Sequence, residues 1–230
     1  MELVDAPSFD AAGHMGLDEA LQAFAPAGRC LLRFYRWGKP AVTFGYGQRW
    51  ELAAQMARAR GLGGGDLVRR ATGGGVVFHD GDLTFSLVFP WERLSSPEAI
   101  YKNIHRGVHQ GLKAVRVESR LWSPKGQVST RSALEKACFG GLPEPMDLVR
   151  EDGLKILGGA LRKRGGRGLY QGSFRPDVIV APVRVLLAAI YDGLAREFGA
   201  PPLLDLKAQW LDEGARLAKK YRSDHWNKKR

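Results

Sequence analysis

A chain of 230 residues with 44% apolar content can bury a core as one domain, and nothing in its length forces two. Its longest apolar runs, such as residues 178–183, are too short to cross a bilayer, and its first residues carry no basic region followed by an apolar one, so no secretory signal is visible. The two distant cysteines, Cys30 and Cys138, form neither a disulfide framework nor a zinc site and fit a reducing, cytoplasmic setting. The formal charge of +11 calls for an acidic protein, a nucleic acid or a solubility explanation.

Leu17, Leu21 and Phe24 recur at helical spacing after Ser8 and Asp10, either of which can cap a first helix that Pro26 and Gly28 end. From Cys30 to Trp37 the pattern alternates, with Leu32 and Phe34 on one face and Arg33, Tyr35 and Trp37 on the other, and a strand over Ala41–Phe44 follows a Gly38-Lys39-Pro40 turn. A helix over about 51–60 and a glycine run at 61–65 lead to a short strand at Leu67–Arg69. The runs 76–79 and 83–89 alternate around Asp80-Gly81-Asp82 and read as a hairpin. Ile100, Ile104, Val108 and Leu112 lie four apart after the Ser96-Pro97-Glu98 cap, the clearest helical pattern in the chain. Val115–Leu121 reads as a strand and 123–136 as a polar loop. A hairpin around Asp152-Gly153 falls within 146–162, and helices over about 183–198 and 206–221 complete the pattern. Strands and helices without strict alternation give an α+β fold, with a mixed, largely antiparallel sheet flanked by helices.

The stretch Arg69-Arg70-Ala71-Thr72-Gly73-Gly74-Gly75-Val76-Val77-Phe78-His79-Asp80 joins a glycine triplet to two arginines and a strand. Glycines let backbone N–H groups approach a ligand closely, and the arginines supply charge for an anionic group; the alternative is a surface turn without a ligand. Lys155 follows the second hairpin turn, and Gly158-Gly159 clear side chains from the same strand, leaving room for a ligand beside the ammonium; the alternative is a solvated lysine. Positive charge gathers at Arg162-Lys163-Arg164 with Arg167 and at 219–222 and 228–230, the last two reading as a solvated tail. A nucleic-acid-binding domain would use the 162–167 cluster with Trp37, Tyr46 and Trp50 as stacking aromatics, although no zinc-finger, RNP-type or helix-turn-helix signature accompanies them. Neither a Walker A nor a dinucleotide fingerprint occurs, so a nucleotide would have to use the glycine-rich turn and Lys155.

The ordered set of residues 69–80, Leu83-Thr84-Phe85-Ser86-Leu87-Val88, Gly153-Leu154-Lys155-Ile156-Leu157-Gly158-Gly159-Ala160 and Tyr170-Gln171-Gly172-Ser173-Phe174 resembles the lipoate-protein ligase and octanoyltransferase family, in the biotin/lipoate-ligase catalytic superfamily. The resemblance covers about residues 30–180, and 220–227 also resembles that family's C-terminal segment. It implies a single catalytic domain over 1–230 with no appended accessory domain, placing a lipoyl or octanoyl group on one lysine of an acidic lipoyl domain or glycine-cleavage H protein. Lys155 then holds the acyl carbonyl or carboxylate. Arg70, Gly73, Gly74, Gly75, His79, Gly158, Gly159 and Ala160 border the acyl and adenylate pocket, with a structural role equally open for His79.

Two chemistries divide the family. The ligase activates lipoate with ATP and Mg²⁺ as co-substrates; the transferase takes octanoate from acyl carrier protein through a cysteine thioester. Cys138-Phe139, seventeen residues before Lys155, resembles the transferase's Cys-Phe, and nearby cations would favour its thiolate; a buried structural cysteine is the alternative. Gly75 is ligase-like, Leu161 stands where either branch more often has a polar residue, and residues 140–145 depart from the transferase pattern. The sequence leans slightly to the octanoyltransferase, with no tightly bound cofactor or metal, no membrane and no nucleic acid. A non-catalytic lipoate-binding protein would keep the pocket and transfer nothing.

Overall fold

The computed structural model describes residues 9–91, 96–123, 137–138, 143–199 and 207–229. In chain order its elements are α1 (Ala11–Phe24), β1 (Leu31–Tyr35), β2 (Ala41–Phe44), α2 (Trp50–Ala59), β3 (Asp66–Arg69), β4 (Val77–His79), β5 (Leu83–Pro90), α3 (Pro97–Ala114), β6 (Arg120–Leu121), β7 (Leu148–Val149), β8 (Lys155–Arg164), β9 (Arg167–Phe174), α4 (Val183–Phe198), α5 (Ala208–Arg222) and α6 (Asp224–Asn227). A six-stranded antiparallel sheet runs β1-β5-β9-β8-β7-β6, and a three-stranded sheet runs β3-β2-β4. The α+β architecture anticipated from the sequence is the one observed.

Period-two alternation divides the large sheet into two unlike faces. Leu32 and Phe34 of β1, Leu83, Phe85, Leu87 and Phe89 of β5, and Tyr170 and Phe174 of β9 point to α3 and α4 and form the main core with Ile100, Ile104, Val108 and Leu112. Arg33, Thr84, Ser86, Gln171 and Ser173 are the buried polar residues of the alternate positions on those strands. Arg33, Ser86 and Gln171 meet α1, which is capped by Asp10 through its bond to the Gly13 N–H (2.8 Å) and is itself covered by α5. Asp18 of α1 accepts from Arg33, Ser86, Tyr35 and Gln171, so a buried charge there is fully engaged.

Three sequence expectations are corrected. Residues 76–89 are not a hairpin: β4 pairs with β2, β5 pairs with β1 and β9, and Gly81 at φ +83 carries the chain from one sheet to the other. The strand expected over 115–121 shrinks to Arg120–Leu121, because Val115 caps α3 and Arg116 turns the chain at φ +60. The basic C-terminal segment is no solvated tail. Lys220 and Tyr221 both donate to buried Glu19, at 2.6 and 2.7 Å, and Arg222 pairs with Asp10. Ser8, Phe139 and residues 124–136 and 206, used in the sequence reading, lie outside the described residues.

Candidate active site

A cavity of about 280 Å³ lies between the polar face of the large sheet and the small sheet with its glycine-rich turn. Its floor follows one cross-strand row, Gly158 of β8, Ser173 of β9, Thr84 of β5 and Tyr35 of β1. Three strand spacings of about 4.8 Å make this row roughly 14 Å long. The floor hydroxyls are turned aside: Ser173 and Thr84 both donate to Asp82 Oδ2, at 2.5 and 3.2 Å. Trp37, stacked on His79 with ring centroids 3.7 Å apart, walls the β1 end.

Cys138, Lys155 and Asp147 gather at the β8 end. Residues 137–138 are held to the glycine-rich segment by a parallel bridge between Ala137 and Val76 and by the Cys138 N–H, which donates to the Val76 carbonyl at 2.7 Å. Lys155 Nζ lies 2.7 Å from Asp147 Oδ2 and also hydrogen-bonds the Cys138 thiol. Asp147, fully buried, accepts further from the Tyr101 hydroxyl (2.8 Å) and the Glu144 N–H (2.6 Å), and the Tyr101 oxygen accepts from the Gly159 N–H (3.0 Å).

Burial opposes the Lys155 charge, but Cys138 and Asp147 outweigh it and hold the ammonium above its ordinary range. Burial pushes the Cys138 thiol up, with Lys155 and Arg70 pulling against it and Asp147 adding to the rise.

The arginines do not offer their charge to a ligand in the way the sequence suggested. Arg70 lines the cavity, yet its guanidinium donates to Thr43 Oγ1 (2.8 Å) and to the Gly73 and Gly75 carbonyls (both 2.9 Å), and burial lowers its pKa to about 10. Arg69 is absent from the cavity lining and donates to the carbonyls of Tyr46, Gln48, Trp226 and Asn227. Arg70 shapes the turn, and Arg69 ties the segment at Tyr46 and Gln48 to the C-terminal residues Trp226 and Asn227. Gly74 sits at φ +83 over Ala160, and the chain at Gly45 passes so close to the Gly74 carbonyl that a Cβ would overlap it. His79 bridges Thr43 Oγ1 (2.7 Å) and Asp82 Oδ2 (2.9 Å), which joins the turn to the floor through Arg70, Thr43, His79 and Asp82.

Gly158 and Gly159 serve opposite faces. A Cβ on Gly158 would collide with Lys155 Cε and stand 2.5 Å from its Nζ and 2.8 Å from Cys138 Sγ. A Cβ on Gly159 would strike the Tyr170 ring and hydroxyl on the core side. Only Gly158 makes room for the ammonium, and that room is filled by Lys155 and Cys138 themselves. Of the stacking aromatics proposed for nucleic acid, Trp37 walls the cavity, and Arg162 and Arg164 pair with Glu19 at 3.3 and 2.9 Å. Asp147, Tyr101, Thr43, Asp82, Gln171 and Ser173 were not named as site residues in the sequence reading. Asp147 stands eight residues before Lys155 across the turn, so the hairpin spacing was the signal available for it.

This is an α+β domain whose cavity of about 280 Å³ ends on a Cys-Lys-Asp cluster. The family model of the lipoyl protein ligase A/B catalytic domain matches residues 10–192, and the chain belongs to that family. It is 33% identical over 174 residues to the octanoyltransferase LipM of Staphylococcus epidermidis, covering 72% of this chain and 62% of that protein. It is 31% identical over 183 residues to the LipM of Staphylococcus aureus, covering 76% and 65%. The chain thus spans less than two thirds of these relatives' length. Among solved structures, a candidate lipoate protein ligase from T. acidophilum with bound lipoic acid shares the fold at TM-score 0.76 and 21% identity, covering 97% of this chain and 96% of that one. A lipoate-protein ligase A bound with ATP does so at 0.74 and 22%, covering 95% and 94%.

Proposed function

We propose that this protein is a cysteine-dependent octanoyltransferase. It takes an octanoyl group from acyl carrier protein and passes it to the acceptor lysine of an acidic lipoyl domain or glycine-cleavage H protein. The observation that carries this reading is the hydrogen-bonded pair of the Cys138 thiol and the Lys155 ammonium at one end of a cavity long enough for an eight-carbon chain. The names of the related octanoyltransferases support it.

The acyl chain lies along the floor row with its carbonyl at Cys138. Sγ attacks the carbonyl carbon of the donor thioester, and the developing oxyanion is stabilised by the fixed Lys155 ammonium. The new C–S bond forms, the donor C–S bond breaks, and the Cys138 proton leaves on the donor thiol. In the second half the acceptor amine attacks the same carbon, the Cys138 C–S bond breaks, and a proton from the amine restores the thiol. The basic balance of the chain favours encounter with acidic carriers.

The glycine-rich turn, with exposed Gly74 at the cavity rim, favours a second reading, an ATP- and Mg²⁺-dependent lipoate ligase. An apo lipoyl domain is incubated with the enzyme and either octanoyl-acyl carrier protein or lipoate plus ATP and Mg²⁺, and its intact mass is read. Octanoyl gain in the first mixture alone supports the transferase; lipoyl gain in the second alone replaces it with the ligase. No gain in either leaves a catalytic domain that needs a separate partner, or a non-catalytic lipoate-binding protein.

A further inference from the structure

The acyl-enzyme would hold its carbonyl beside an amine that belongs to the enzyme itself. Lys155 Nζ hydrogen-bonds Cys138 Sγ, and both lie within 2.8 Å of one point above Gly158. A neutral Lys155 amine would therefore meet any thioester on Cys138 before an acceptor lysine from another protein could arrive. Its attack would form a C–N bond to the acyl carbon, break the C–S bond and return a proton to the thiolate. The product, an octanoyl amide on Lys155, would no longer exchange, and the oxyanion-stabilising charge would be lost with it.

We propose that Asp147 prevents this self-acylation by holding Lys155 as an ammonium whose lone pair is occupied by its proton. The inference rests on the thioester reading above. Asp147 is built for such a role. Its side chain is wholly buried, and one carboxylate oxygen takes the ammonium at 2.7 Å together with the Glu144 N–H. The other takes the Tyr101 hydroxyl, so the carboxylate cannot swing away without orphaning three donors. Among the described residues, the other titratable groups around Lys155 are Cys138, Glu144 at the cavity, His105 and Tyr101 of α3, Tyr170 of β9 and, across the thiol, Arg70. Asp147 is the group among them that lies in direct ion-pair contact with the ammonium. Deprotonating Lys155 would leave that carboxylate buried beside a neutral amine, which strongly disfavours the nucleophilic form. Asp147 is a positioning residue: it acts on the reacting carbon only through Lys155.

The test uses octanoyl-coenzyme A as donor, without acceptor, at pH 8, on the wild type and on Asp147→Asn. Intact masses are read before and after neutral hydroxylamine, which cleaves thioesters and spares amides, and the surviving modification is mapped by peptide sequencing. The wild type should carry an octanoyl mass that hydroxylamine removes. Asp147→Asn should carry a hydroxylamine-resistant octanoyl group on Lys155, at a fraction at least tenfold above wild type.

A variant that gains no acyl mass, or only a hydroxylamine-labile one, while the wild type is acylated, overturns this proposal and leaves the thioester reading intact. A wild type without a hydroxylamine-labile mass overturns the thioester reading, and this proposal with it. Should Asp147→Asn melt without cooperativity, Asp147→Ser, which keeps an oxygen for Tyr101 and the Glu144 N–H but no charge, is scored by the same rule. A purely structural role for Asp147 would lower all acylation and move none of it to Lys155.

Discussion

Adjacent glycines on one strand should give opposite failures when each receives a methyl group. At Gly158, Nζ of Lys155 stands 2.5 Å from the position of an added Cβ, so it must retreat by about 1 Å to reach an ordinary contact. A displacement of that size at a reacting centre is worth about 100-fold in rate, or about 2.7 kcal/mol of transition-state stabilisation. The clash is with a flexible side chain at the cavity, φ at Gly158 is not positive, and alanine orders the unfolded chain slightly more than glycine. Gly158→Ala should therefore melt within about 2 °C of wild type.

Gly159→Ala instead drives a methyl into the Tyr170 ring, which is fully buried and hydrogen-bonded to His105 at 2.7 Å. Overpacking of this kind costs about 1–3 kcal/mol, which in a chain of this size lowers the melting temperature by roughly 2–12 °C. Single-turnover octanoyl transfer and differential scanning calorimetry on both variants give the comparison. Equal rates for Gly158→Ala and wild type, or a Gly159→Ala variant as stable as wild type, would refute the assignment of the two faces.

Burial lowers the pKa of His105 to about 4 and of His14 to about 3, against 6.5 in the unfolded chain. The unfolded chain thus binds more protons between pH 6.5 and 4, and stability should fall with falling pH by up to about 1.4 kcal/mol per unit for each ring. Urea midpoints that stay flat between pH 6.5 and 5 would contradict this. Trp37→Ala opens the cavity end where the indole stacks on His79 and should raise the rate with dodecanoyl relative to octanoyl donors; an unchanged ratio would mean the end wall lies elsewhere. Arg69→Met strips four backbone carbonyls of their donor and should destabilise the fold by roughly 3 kcal/mol, read as a lowered melting temperature; an unaltered one would deny Arg69 its structural role.

Local patterns were legible where the deciding contacts are near in sequence. The four-residue spacing of Ile100 to Leu112 marked α3, and Asp152-Gly153 marked the turn before Lys155, because helix faces and tight turns are written within a few residues. The partition into two sheets was not legible, since Asp80-Gly81-Asp82 suits a crossover as well as a hairpin and Gly81 at φ +83 serves either. Strand β9 was quoted as a motif rather than as a strand because Gly168 and Gly172 interrupt its pattern. Those glycines leave space for Phe89, Phe85 and Tyr170 rings.

At the site, Cys138 and Lys155, to which we assign the chemistry, could be named from motif order, whereas the groups that hold them could not. Arg69 and Arg70 look like anion-binding groups until their carbonyl partners are known, and Asp147 gains meaning only when the hairpin brings it against Lys155. In the same way, Glu19 turns the basic residues Arg162, Arg164 and Lys220 from a surface stripe into an anchor.

The thioester itself is the central claim, and its chemical competence can be measured directly. Enzyme loaded with octanoate and freed of donor by rapid desalting is mixed with an apo lipoyl domain, and both masses are followed in time. The octanoyl mass should leave the wild-type enzyme and appear on the domain at least as fast as steady-state turnover, while Cys138→Ser neither loads nor transfers. Loaded enzyme that keeps its acyl group in the presence of the domain, or a Cys138→Ser variant that still modifies it, would contradict the thioester mechanism.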